Sequence, residues 1–413
     1  MFYTSDYNSY SYQNIKGNIF TVILNGFCTT DSFPTFSVAH ASKPLINFST
    51  IFGMQNVRFN KIGIQRVSIF NKFYCIFILS LLICVIVCIP PLSWKETKSD
   101  LPLNILTRLF GVLQTFEIFY YVFIVSFGNA SYYWNLYKTL NSLDNHYEKR
   151  LKMFVKRRYL AIFLMFTPLL LITFTFYLRK FTIQNVVAQI TFFLIMLQGV
   201  NFVYFIVNIF IEVLIFKAVL FKKVEDFVPT EINKKSFLTK LLIKRLVTSE
   251  NLKRRYCWFE LMQIYDKIAD CVYIFNKIYA GQILIMFEAW LLTTVLVICR
   301  SLSPSMKYSE VMWSDAFYYT FLNIRPFFLT KMSDFFIQDR RETLSLLIRV
   351  LIHTDTNYYL YQSQVQTMIT QVQGRKIELS AVVAAVDMPI MIAFAGKVIS
   401  YSVLVIQYFY INN

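Results

Sequence analysis

Seven apolar runs, each about twenty residues long, limit what this chain can fold into more than any other feature. They fall at roughly 67–90, 103–127, 159–176, 189–215, 272–300, 313–332 and 388–409. Runs of that length match the hydrocarbon core of a bilayer, where helices satisfy their own backbone. Composition agrees, with 56% of 413 residues apolar, 16% charged, 42 Phe and 27 Tyr. A soluble globular chain of this size does not carry that balance. The predicted fold class is an all-α polytopic membrane protein with seven transmembrane helices.

An odd number of spans puts the two termini on opposite sides. Segments 1–66, 128–158, 216–271 and 333–387 carry 29 Lys and Arg, and the alternate segments carry five. The positive-inside rule therefore predicts a cytoplasmic N-terminus and an extracellular C-terminus. "KRLKMFVKRRY", beside the third span, weighs most because it is short and close to the membrane. The same bias accounts for the formal charge of +17 without nucleic acid as a partner. The outer loops are about a dozen residues long. The Asn-x-Ser sequons at Asn47 and Asn129 both fall on predicted inner segments. The first twenty residues lack a signal-peptide pattern, so the first true span is expected to drive insertion.

Chemistry-bearing motifs are scarce. The seven cysteines do not form a disulfide framework: Cys75, Cys84 and Cys88 share one apolar segment, and only Cys88 and Cys299 fall near outer ends. His40, His146 and His353 are far apart and show no metal-ligand spacing. There is no P-loop, HExxH, GxSxG or paired-carboxylate motif, so we expect no enzyme, no metal and no cofactor.

The inner segments carry helical patterning. In "ENLKRRYCWFELMQIYDKIADCVYIFNKIY", Leu261, Ile264, Ile268 and Val272 recur at helical spacing, predicting a cytoplasmic extension of the fifth span. "DRRETLSLLIRVLIH" similarly predicts an extension of the sixth. The chain thus divides into a cytoplasmic N-terminal segment (1–66), helices one to four (67–215), a cytoplasmic loop and helical anchor (216–271), helices five and six (272–332), a second anchor segment (333–387) and the last helix with a short extracellular end (388–413).

In that last helix, Ser400-Tyr401 precede five residues, Ser402 to Ile406, and then Gln407-Tyr408. The pattern resembles the seventh-span signature of insect gustatory receptors, Thr-Tyr, five mostly apolar residues, Gln-Phe, with Ser for Thr and Tyr for Phe. Asp387 and Gly396 match the start of the same helix. "KIADCVYIFNKIYAGQIL", with Asn276, resembles the family's fifth-span start, and "HASKPLINFSTIFGM" its N-terminal proline and glycine element. The resemblance is densest over 255–413. It implies a ligand-gated cation channel of the plasma membrane of sensory neurons, a homo- or heterotetramer whose seventh helices line one pore. It also implies a small-molecule tastant bound in the outer half of each subunit's bundle.

Leu404, Gln407 and Tyr408 stand at i, i+3 and i+4 and so share a helix face. On the family pattern Leu404 is a hydrophobic constriction and Gln407 a polar ring; the other reading is an interhelical hydrogen bond without a part in conduction. Lys397, seven residues below Leu404, departs from expectation for a cation pore. It belongs either in a wide inner vestibule or turned to a carboxylate. Asp387 and Pro389 read as a helix cap and first turn. Glu117, Glu288 and Arg325 all lie about 20 Å below their outer ends at 1.5 Å per residue, so Arg325 is expected to pair with Glu288 or Glu117. An Arg325 that reaches the cytoplasm is the other reading. Pro326 predicts a bend.

Candidates for the ligand pocket are Gln114, Phe192, Phe193, Met196, Trp290, Tyr318 and Tyr319, although packing or interfacial anchoring accounts for most membrane aromatics. Few charges and many rings suit a neutral, partly apolar plant compound of the bitter type better than a free sugar.

Three rivals remain at this point. A G-protein-coupled receptor would explain Arg-Tyr-Leu-Ala-Ile at 158–162, but no acid precedes that arginine and the motif opens a span. A secondary transporter would need matched broken helices in two halves. A non-conducting subunit of a heteromer would accommodate Lys397.

Overall fold

Apolar periodicity turns into helix along most of the chain. The computed structural model describes residues 38–52, 57–60, 63–66, 70, 72–78, 80, 101–124, 130–144, 157–178, 183–225, 256–302, 313–353, 359–382 and 384–407. The helices are α1 (Val38–Ile51), α2 (Leu101–Phe123), α3 (Ala130–Asp144), α4 (Arg157–Leu178), α5 (Ile183–Glu225), α6 (Trp258–Leu302), α7 (Trp313–His353), α8 (Tyr359–Gly374) and α9 (Met388–Ile406). A hairpin of β1 (Val57–Asn60) and β2 (Gly63–Arg66) pairs Val57 with Arg66 and Asn60 with Gly63. The fold is helical, as expected. Much of the first predicted span, 81–90, lies outside the described residues.

Among the described residues, three helices are long and apolar enough to cross a membrane: Gln189–Val224, Trp258–Cys299 and Met388–Ile406. Their surroundings differ. The most apolar window of α5 is 72% buried, that of α6 50% and that of α9 17%. A helix apolar all round belongs inside, and α5 occupies the centre. Phe205 of α5 sits 5.0 Å from the Tyr137 ring and 6.0 Å from that of Tyr133, both on α3; Phe202 of α5 meets Tyr279 of α6 at 5.3 Å. Such edge-on ring contacts bring specific geometry as well as bulk. Where α6 crosses α2, Gly281 leaves room for the Tyr120 hydroxyl; a Cβ there would overlap it and force that ring to shift.

Helix α6 is continuous from Trp258 to Leu302, so the amphipathic inner segment and the span form one rod. Helix α7 likewise runs from Trp313 to His353 past Pro326. Toward the start of α6 and the end of α7, these rods meet α8 and the connection that leads to α9. Arg340 of α7 donates to the carbonyls of Val372 (3.0 Å) and Gln373 (2.7 Å), which satisfies the C-terminal end of α8. Arg375 pairs with Asp266 (3.0 Å) and Asp270 of α6, and the Tyr265 hydroxyl donates to its carbonyl at 3.0 Å.

The connection 375–387 is threaded between α6 and α7. Asn276 donates to the Glu378 carbonyl (2.8 Å) and accepts from the Ser380 N–H (3.1 Å). Ser333 and Asp334 of α7 accept from the N–H groups of Leu379 (3.3 Å) and Met388 (3.2 Å). A short reversal holds Val386 N–H on the Leu379 carbonyl at 2.8 Å, and its tip carries Val382 at φ 62°. A β-branched residue in that left-handed region is strained.

A buried cation ties α5 to α7 farther along. Lys217 lies 2.7 Å from Asp339 and 2.6 Å from Glu342, and Gln338 donates to the other oxygen of Glu342 at 3.1 Å. Burial pushes the Asp339 carboxyl up to about 6, against the opposing pull of Lys217.

Candidate functional site

Helix α9 begins with a complete cap. The Asp387 carboxylate accepts from the Ile390 N–H at 3.0 Å, and Pro389 occupies the first turn, where no N–H is needed. Met391, Val398 and Ser402 are its buried residues. Phe394 packs on Phe287 of α6 at 5.2 Å. At 100° per residue these four residues form one edge. Everything opposite is open: Gly396, Lys397, Ser400, Tyr401, Leu404 and Gln407 are all exposed, Leu404 at 59%.

Leu404 and Gln407 therefore share a face turned away from the rest of the chain. Tyr408 lies outside the described residues. Lys397 is on the same side, its Nζ 5.4 Å over the Phe394 ring. The hydroxyls of Ser400 and Ser402 donate to the carbonyls one turn back, at 3.0 and 2.7 Å, and so do not reach outward.

The charges expected to meet are resolved between two partners. Arg325 Nη1 lies 2.9 Å from Glu117 Oε1, joining α7 to α2, with Glu117 wholly buried. Glu288, at a similar depth, is exposed on α6. Depth was readable from helical rise; rotation about the helix axis decides which carboxylate faces inward. The Arg325 guanidinium also lies 5.8 Å from the Phe321 ring, and Phe321 meets Phe192 edge-on at 5.9 Å. Gln114 is buried one turn outward from Glu117. The set Gln114, Glu117, Arg325, Phe321 and Phe192 thus runs continuously across α2, α7 and α5. Two of its polar atoms, Glu117 Oε2 and Arg325 Nε, are buried without a hydrogen-bond partner among the described residues.

The other pocket candidates divide. Met196 is buried, Trp290 is half-buried beside Phe287 (6.3 Å), and Tyr319 is half-buried. Phe193 turns the opposite way from Phe192, onto Phe52 (4.9 Å) and Phe48 (6.3 Å), because adjacent helical positions are 100° apart. The Tyr318 side chain lies outside the described residues.

No protein-family model matches the chain, and no curated protein matches it. Solved structures do. The insect olfactory receptor OR5 from Machilis hrabei aligns with 89% of this chain and 97% of its own at 14% identity, with a TM-score of 0.62. The same receptor in complex with eugenol aligns over the same shares at 14% identity and a TM-score of 0.56.

The chain has the insect olfactory receptor fold.

Several residues that this receptor fold brings together escaped the sequence reading. Phe321 and the Ser49–Asn201 hydrogen bond (3.1 Å) are two of them. Lys217 is another, and here a signal existed. Gln189, Gln198, Asn201, Asn208 and Glu212 interrupt the apolar run 189–215, Lys217 follows it by two residues, and all six are buried. Polar residues inside such a run require protein neighbours, which marks α5 as the central helix.

Proposed function

We propose that the chain is a gustatory receptor of the insect chemoreceptor type, a ligand-gated, non-selective cation channel. It assembles as a homo- or heterotetramer in the plasma membrane of sensory neurons, N-terminus inside and C-terminus outside. A neutral, partly apolar tastant of the bitter type binds among α2, α5, α6 and α7 in the outer half. Copies of α9 surround a central pore, with Leu404 as the constriction and Gln407, with Tyr408, as a polar ring beyond it.

The observation that carries this reading is the open face of α9. A capped helix that buries one edge on α6 and leaves Leu404 and Gln407 uncovered is suited to line a path between copies of itself. The receptor fold supports it, as does the eugenol complex of OR5, a small aromatic ligand on a similar scaffold. The aromatic and buried polar set around Phe192 and Arg325 offers such a ligand both stacking and hydrogen bonds.

The test is electrical. Cells expressing the chain are recorded during exposure to plant alkaloids, glycosides and sugars while G-protein signalling is blocked with a non-hydrolysable GDP analogue. Current that survives the block is expected; current that vanishes under it would assign the response to G-protein coupling. Lys397 favours a second reading, in which the chain conducts only beside a different receptor subunit. Current only on co-expression would select that reading.

A further inference from the structure

We propose that Lys397 shapes what the pore conducts, forming a cationic ring in the inner vestibule that depletes divalent cations most and makes the channel inwardly rectifying. The inference rests on the reading of α9 as the pore helix and assigns to that pore a property nothing above gives it.

Lys397 lies seven residues before Leu404, so the two stand within about 20° of each other and about 10 Å apart along the helix. Both are exposed. Whatever path Leu404 closes, Lys397 borders it on the cytoplasmic side. The side chain does not escape to an acid. Its Nζ lies over the Phe394 ring, and among the described residues no carboxylate pairs with it. Phe394 is itself fixed against Phe287. Helical side chains lean toward the N-terminus, which here draws the ammonium toward the cytoplasmic water by roughly a turn. Its stem thus rests on an aromatic face while its head points away from the packed edge of α9.

The electrostatic consequence follows from geometry. Four such charges at about 8 Å from a central axis in water, screened at physiological salt, deplete monovalent cations on the axis about fourfold. For a divalent cation the factor is the square of that. The ring sits inside the Leu404 constriction, so it starves outward current of carriers and leaves entry from outside less affected. The same charge invites cytoplasmic anions into the vestibule without passing them through Leu404.

No tastant is needed for the test. Leu404→Ala shortens the constriction and should yield constitutive current at a surface level checked by biotinylation. That current should rectify inwardly and carry little calcium. Adding Lys397→Gln should raise outward current about fourfold and increase relative calcium permeability, while Lys397→Arg should keep the Leu404→Ala behaviour. In the Lys397→Cys background, attaching a cationic thiol reagent from the cytoplasmic side should restore rectification, and an anionic reagent should reverse it. Unchanged rectification and calcium permeability across these variants, with the Leu404→Ala current present, would overturn the role of Lys397 and leave the pore reading standing. No current from Leu404→Ala at normal surface level would overturn both.

Discussion

Helices α5 and α9 carry the same kind of sequence, long, apolar and thinly charged, yet one is wrapped by protein and the other is almost bare. The most apolar window of α5 is 72% buried and that of α9 is 17%. Hydrophobicity alone therefore does not assign a helix its place. What separates them is the company their polar residues keep. In α5, Gln198, Asn201, Asn208, Glu212 and Lys217 are all buried, whereas in α9 Lys397, Ser400 and Gln407 lie on the open side and only the small Ser402 is buried. Polar groups facing protein mark a structural core; polar groups facing away mark a surface that other copies or water must cover.

The contrast can be broken most forcefully at the centre. Phe205→Ala removes a wholly buried ring that touches four others, and should cost about 3 kcal/mol or more in detergent-solubilised protein, read as a fall in melting temperature. A loss under about 1 kcal/mol would mean that the aromatic cluster is not the core.

The second test concerns the neighbouring ion pair. Arg325→Leu and Glu117→Leu should each destabilise by about 3 kcal/mol, since each strands a buried opposite charge, while the double replacement should recover much of the loss. Simple addition of the two losses would sever the pair.

A third, smaller effect is tied to pH. The Asp339 carboxyl titrates at about 6 in the folded protein against an ordinary 3.8, so the folded state holds its proton more tightly. Its contribution to stability is complete below about pH 4 and is lost as pH rises through about 6. Stability read from melting between pH 5 and pH 7.5 should fall by about 1.4 kcal/mol, a fall that disappears in Asp339→Asn. An identical slope in both proteins would place the titration elsewhere. Lys217 and Glu342 face this carboxyl, and Tyr265 and Arg340 lie close by.

The smallest effect belongs to α9. Ile399→Ala removes a side chain 65% exposed, and in detergent it should change the stability of the single chain, read by melting, by less than about 0.5 kcal/mol. A large loss there would mean that the open face is already covered within one chain.

Much of the fold was legible from periodicity: the long rods α6 and α7 follow directly from the spacing of apolar residues past the predicted spans. Helix α3 was missed, although Tyr133, Leu136, Tyr137, Leu140 and Leu143 repeat at helical spacing and are all buried. Its polar remainder reads as an ordinary inner segment until those five positions are set on a wheel. The threaded connection 375–387 left no such trace. Its bonds run from side chains of α6 and α7 to its backbone, and the backbone carries no letter in the sequence. Within the candidate site, depth and shared faces could be counted from residue numbers. The choice of Glu117 over Glu288, and the turning of Phe193 away from Phe192, depended on rotations that only packing fixes.

One consequence of the threaded connection reaches to the far end of α9. Its root is held by Asn276, Ser333 and Asp334, so the helix behaves as a lever on a fixed fulcrum. Leu404 sits about 24 Å from that fulcrum, so a tilt of about 5° carries it roughly 2 Å sideways while Met388 hardly moves. A displacement of that size is comparable to the width of a dehydrated ion.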